Sequence, residues 1–85
     1  MTPTPSPNPD LVPLSGIEKG GRAVVERFNL PEALTRRLQI LGLTLKTEVE
    51  VVGRKGRGVD ILKWRGARFA LGAPITQSIF VRRKP

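Results

Sequence analysis

Arg36-Arg37-Leu38-Gln39-Ile40-Leu41-Gly42-Leu43, followed closely by Thr47-Glu48-Val49-Glu50-Val51-Val52, decides the fold of this chain. The first segment reads as the end of a helix of about three turns, because Leu34, Leu38 and Leu41 recur at i, i+4 and i+7 and form one narrow apolar stripe expected to face the core. Arg36 and Ile40 share a different, outward stripe. Gly42 supplies the left-handed residue that stops the helix. Upstream, Asn29 stands three residues before Glu32 with Pro31 between them, a pattern in which the Asn side chain caps a free amide and Glu32 reaches back. The second segment alternates, so Val49 and Val51 should point inward and Glu48 and Glu50 outward.

Working outward, Arg22–Phe28 reads as a first full strand, preceded by the apolar anchors Leu14 and Ile17 and a glycine turn at Gly20-Gly21. Val59–Trp64 is a further strand, reached through the basic loop Gly53-Arg54-Lys55-Gly56-Arg57-Gly58. Arg65-Gly66 makes a tight reversal, and Arg68–Leu71 and Ser78–Arg82 are the last strands, separated by a break at Gly72-Ala73-Pro74. Five or six short strands with one helix after the first predict a mainly β fold, a small, partly open antiparallel barrel that hides its edges by partial closure. Residues 1–13 hold five of the eight prolines and few aliphatic residues, so they are expected to form a disordered, polyproline-like tail, leaving 14–83 as the domain. A proline-rich ligand for an aromatic groove is the functional alternative for that tail.

Eighty-five residues support one domain with a single small core. Without cysteine, that core rests on apolar packing and backbone hydrogen bonds, and the chain reads as intracellular. No secretory leader pattern opens it, and its longest apolar stretch, Leu38 to Leu45, is far short of the ~20 residues that span a bilayer, so no membrane insertion is expected.

Several chemistries lose their residues. With no histidine and no cysteine, no triad or thiolate nucleophile can be assembled. Glu48 and Glu50 could in principle be paired acids, but two glutamates on one strand face among many cations read as a solvated surface. The chain is therefore expected not to be an enzyme. It is also expected to hold no metal or other cofactor, since only scattered carboxylates remain in a cationic setting. Fifteen Lys and Arg against seven Asp and Glu give a net charge of +8, which favours anionic partners without choosing among nucleic acid, lipid and acidic protein.

The arginine pair before Leu-x-x-Leu-Gly-Leu, the following strand, and Phe69-Ala70-Leu71-Gly72-Ala73-Pro74-Ile75 leading into Ser78-Ile79-Phe80-Val81-Arg82 resemble the FeoA family over Leu14 to Arg83. That resemblance implies an SH3-like barrel and a cytoplasmic accessory protein of bacterial ferrous iron uptake that binds and regulates the FeoB permease. The family pattern Gly-Leu-x-x-Gly is broken here, because Lys46 stands at the final glycine. A detached form of the barrel found at the end of iron-dependent repressors is a related reading, and no helix-turn-helix precedes the barrel.

Two candidate surfaces emerge. Arg36 and Arg37, with Ile40 and Phe80, form a candidate partner-binding patch: planar guanidinium forks suit carboxylates, Ile40 lies off the leucine stripe, and Phe80 points opposite to Ile79 and Val81. Alternatively, one arginine, Arg37 in particular, packs over the core edge and pairs with a glutamate such as Glu50. The second surface is the loop carrying Arg54, Lys55 and Arg57, whose glycines would let the backbone approach phosphates; a solvated hairpin loop is the plainer reading. It would serve the alternative function, a basic small-barrel nucleic-acid-binding protein, but no aromatic residue is interleaved with these cations and Trp64 reads as core.

Overall fold

The computed structural model describes residues 11–84. Six antiparallel strands form one sheet in the order β1-β6-β2-β3-β4-β5: β1 is Leu11–Pro13, β2 Arg22–Phe28, β3 Glu48–Lys55, β4 Val59–Trp64, β5 Ala67–Gly72 and β6 Ile79–Lys84. Among the described residues no ladder joins β1 to β5, so the barrel stays open, as the sequence predicts. A 3-10 turn at Leu14–Gly16 follows β1, helix α1 (Glu32–Ile40) follows β2, and the one-turn helix α2 (Ala73–Thr76) occupies the break before β6.

Alternation builds the core. Ala23 and Val25 of β2, Val49 and Val51 of β3, Leu62 and Trp64 of β4, and Ile79 and Val81 of β6 are all buried on the inner face. Leu14 and Ile17 close one end, and Leu38 and Leu43 enter from α1 and its exit turn. Fully burying each large aliphatic or aromatic side chain stabilises the fold by about 1.5–3 kcal/mol, so this set carries the domain. Phe69 stacks on Trp64 with ring centroids 3.9 Å apart. The register shifts once between Val25 and Arg27 against β6, and once between Val51 and Gly53 against β4. Bulges of this kind bend a strand and increase its twist, which curls a short sheet around its core.

Three local expectations are corrected. The tail was expected to run to Pro13, yet Leu11, Val12 and Pro13 pair with Arg82, Val81 and Phe80. Proline cannot donate to a ladder, but at the edge of a sheet that donor is not needed; residues 1–10 lie outside the described residues. The helix begins at Glu32 with Pro31, not Asn29, in the N-cap position, and no side chain caps it. The Asn29 amide instead donates to the Ser78 carbonyl at 2.8 Å, tying the end of β2 to the turn before β6. Finally, Leu41 is not on the buried face: it is 49% exposed, while Leu38 is buried and Leu34 half-buried.

The reason lies in the helix exit. Gly42 has φ +95°, its amide donates to Gln39 at 2.9 Å, and the Leu43 amide donates to Leu38 at 2.9 Å. This left-handed cap satisfies the last carbonyls and brings the buried Leu43 against the helix. The core position that strict periodicity gives to Leu41 is taken by Leu43. A Cβ on Gly42 would lie 2.8 Å from Arg65 Cδ, so a side chain there would both strain the backbone and displace the Arg65 arm.

Candidate functional site

The end of α1 is held from two sides. Trp64 Nε1 donates to the Leu41 carbonyl at 3.0 Å, and Arg65 Nε donates to the Gly42 carbonyl at 2.8 Å. Carbonyls at a helix C-terminus carry partial negative charge, so a guanidinium there is favourable as well as geometrically apt. Arg65 can reach because Arg65 and Gly66 both adopt positive φ, 51° and 81°, in the two-residue turn between β4 and β5, whose twist matches that of the flanking strands.

On this anchored end sit the large apolar side chains most exposed among the described residues: Ile40 at 78%, Leu41 at 49% and Leu45 at 54%. All three fall within residues 40–45. Arg36 and Arg37 precede them, both exposed. Arg36 Nη2 donates to Glu32 Oε2 at 3.0 Å, one turn back on the helix. Arg37, for which a pairing with a glutamate such as Glu50 was the alternative reading, makes no side-chain hydrogen bond or ion pair among the described residues. Phe80 does not join this group: it is half-buried on β6, opposite Pro13 of β1 and Arg27 of β2. Leu41, which periodicity placed on the core stripe, and Leu45 are the residues that sequence reasoning missed; the available signal was the glycine stop at Gly42, which leaves Leu41 at the helix end and Leu45 beyond it.

The basic loop is also redrawn. β3 continues through Lys55, so only Gly56, Arg57 and Gly58 form the turn. Arg54 is not a loop cation. Its Nε donates to Asp60 Oδ1 at 2.8 Å, and its Nη2 donates to the Ser15 carbonyl at 3.0 Å and to the Ile17 carbonyl. Asp60 is itself buried, its side chain only 5% exposed, so Arg54 neutralises an inner carboxylate and clamps the 3-10 turn against β3. Lys55 and Arg57 remain exposed.

Elsewhere three carboxylates are tied to cations. Glu26, in the β2 bulge, accepts from Lys46 and Arg82, and its carboxyl is held below the ordinary value mainly by the Lys46 hydrogen bond. Glu48 accepts from Lys84, which lowers it likewise. Glu18 is lowered by its own backbone amide and then by Arg83. Among the described residues no three carboxylates gather in a way that could hold a metal ion. No helix is long and apolar enough to cross a membrane.

The FeoA domain model matches residues 12–83. Among solved structures, the chain is similar to an iron uptake regulatory protein, FeoA, at 27% identity, covering 87% of this chain and 97% of that one with a TM-score of 0.76. It is similar at 28% identity to FeoA of Stenotrophomonas maltophilia complexed with zinc, an SH3 domain protein put forward as a ferrous iron transport activating factor. There the coverage is 80% of this chain and 86% of that one, with a TM-score of 0.68. A manganese-dependent transcriptional repressor shares the fold at 23% identity and a TM-score of 0.81; 94% of this chain aligns, but with only 45% of the repressor. No curated protein matches the chain.

Proposed function

The chain belongs to the FeoA domain family, which is linked to ferrous iron transport, and from that premise we propose that it is a cytoplasmic accessory protein that binds and regulates a FeoB-type permease. The observation that carries this reading is the exposed run of Ile40, Leu41 and Leu45 on a helix end fixed by Trp64 and Arg65. Apolar side chains held rigidly at a surface lose little freedom on docking, so their burial goes into affinity. Arg36 and Arg37 stand beside them as rim charges suited to carboxylates on the permease's cytoplasmic region. The mechanism is one of docking, in which the apolar knob enters a groove and the arginines set its orientation. Regulation follows from binding one state of the permease more tightly than another.

A protein contact is favoured over nucleic acid by the aromatic residues. Trp64 is 1% exposed and engaged with Phe69, which leaves no stacking platform beside the basic turn.

A binding assay with the permease's cytoplasmic region tests the proposal. Ile40→Asp with Leu45→Asp, and separately Arg36→Glu with Arg37→Glu, should each weaken binding by about 2 kcal/mol or more, the scale of a hot spot. Phe80→Ala and Arg57→Ser should leave it near the parent value. All four positions in the two double variants are exposed, so the fold survives their change; a folded variant that binds like the parent rejects the patch.

A further inference from the structure

A cleft of about 390 Å³ opens beside β3, β4 and β5. Its cations are Lys19, Arg54, Lys55 and Arg68, and no carboxylate lines it. Its floor is Val52 and Ile61, both half-buried. The β3 bulge leaves Val52 without a pairing partner on β4, and Gly53 beside it has nothing within 4 Å of where a Cβ would stand. Room above an apolar floor is thus built into the strand.

The charges here are left over, not compensated. Glu18, Glu26, Glu32, Glu48 and Asp60 are each committed to Arg83, to Lys46 and Arg82, to Arg36, to Lys84 and Arg22, and to Arg54. Lys19, Lys55 and Arg68 make no side-chain hydrogen bond or ion pair among the described residues. Arg54 is fixed through its Nε and Nη2, while its Nη1 has no such bond. One rigid donor therefore stands among three untethered cations. A second cleft, of about 180 Å³, offers a contrast: Glu48 and Glu50 line it together with Arg22, Lys63 and Arg65, so its charge is largely balanced.

We propose that the larger cleft binds a small, multiply phosphorylated ligand of nucleoside di- or triphosphate size, with the phosphates on Arg54, Lys55, Arg68 and Lys19 and the sugar or base face on Val52 and Ile61. Its volume lies in the range of small-molecule sites, about 300–1,000 Å³. A single exposed ion pair is worth little, so a lone anion would not be retained, whereas several charges on one ligand meet several cations at once. Arg68 can offer its guanidinium fork to two phosphate oxygens, while Arg54 Nη1 and the two ammonium groups add single donors, and the clustered oxygens of a polyphosphate can meet all four at once. This site uses none of the residues at the end of α1 and is independent of the permease contact.

Calorimetric titration of the intact chain with inorganic phosphate, pyrophosphate, ADP and ATP tests it, with backbone amide shifts locating the site. ATP and pyrophosphate should bind one-to-one in the micromolar range and more weakly at raised salt. Inorganic phosphate should not saturate, and the shifts should centre on Val52, Gly53 and Ile61. Lys55→Gln and Arg68→Gln, both exposed and outside the core, should each weaken ATP about five-fold. Arg27→Gln, an exposed change of equal charge on β2, should leave it unaltered. Arg54 is spared as a test residue because its loss would disturb the fold. The proposal is overturned if neither ATP nor pyrophosphate saturates at millimolar concentration, or if Arg27→Gln weakens binding as much as Arg68→Gln. A single-stranded oligonucleotide that shifts the same amides while ATP does not would also overturn it.

Discussion

Lys46 and Glu26 meet across the join between α1 and β3, with Lys46 Nζ donating to Glu26 Oε1 at 2.6 Å while the Lys46 backbone holds φ +73°. Its amide also donates to the Val25 carbonyl at 2.7 Å, so the turn is stitched to β2 by main chain and side chain together. The left-handed conformation costs a non-glycine residue about 1–2 kcal/mol. The family's glycine at this place is thus explained by backbone geometry, and this chain keeps the geometry with a residue that must be forced into it. Lys46→Gly should raise the denaturation midpoint, by about 1 kcal/mol at most because glycine also has more freedom to lose. Denaturant melting of the pair of proteins measures it, and a fall in stability would mean that the bond to Glu26 outweighs the relieved strain.

Leu38 is the buried member of the helix stripe, and Leu38→Ala should cost about 2–5 kcal/mol. Leu41→Ala, two residues before the buried Leu43, should stay within about 0.5 kcal/mol, as an exposed change does. Chemical denaturation of both variants checks the order, and equal losses would place Leu41 in the core.

Asp60→Asn keeps the shape of the inner carboxylate but removes its charge, leaving Arg54 to hold the 3-10 turn by neutral contacts. Hydrogen bonds to charged groups contribute about 1.5–3 kcal/mol, and Arg54 is partly exposed, so a loss near the lower end, about 1.5 kcal/mol, is expected. Amide exchange at Ile17 should rise in the same variant, since that segment depends on the clamp.

Acid should loosen the fold through Glu18, Glu26 and Glu48, each titrating below its ordinary 4.5. A folded-state value below the unfolded one means that folding favours the ionised form. The stabilisation is therefore complete above about pH 4.5 and is lost as pH falls from there through the lower folded values. With no histidine in the chain, the melting midpoint should be level between about pH 5 and 7 and then decline. High salt should flatten that decline, because all three pairs have an exposed member.

What the sequence made legible follows from how local each cause is. β2 and β4 match their expected bounds residue for residue, because period-two burial is written in consecutive positions. The Arg65-Gly66 reversal and the Gly42 stop were legible for the same reason. Arg54 was misread as a loop cation because its partners Ser15 and Ile17 lie far back in the chain, where composition gives no hint of contact. β1 was hidden by Pro13 and the proline-rich residues before it, since only the pairing with β6 makes Leu11–Pro13 a strand. The exposed Leu41 was hidden by carrying the helical period one residue past Ile40, where α1 ends, and the strain at Lys46 cannot be seen in residue type at all.

Because β6 lies between β1 and β2, the order of synthesis is the reverse of what pairing needs. Leu11 emerges early from the ribosome, yet its ladder partner is Arg82. Until Ile79–Lys84 has been made, β1 has no strand to join and one edge of β2 stands open, while β3, β4 and β5 can already zip locally. The barrel must then be completed by contacts far apart in sequence, the kind that slow folding to milliseconds or longer. A nascent chain interrupted before Ile79 would be a half-built sheet offering open edges to its neighbours, and truncations there should be found in aggregates.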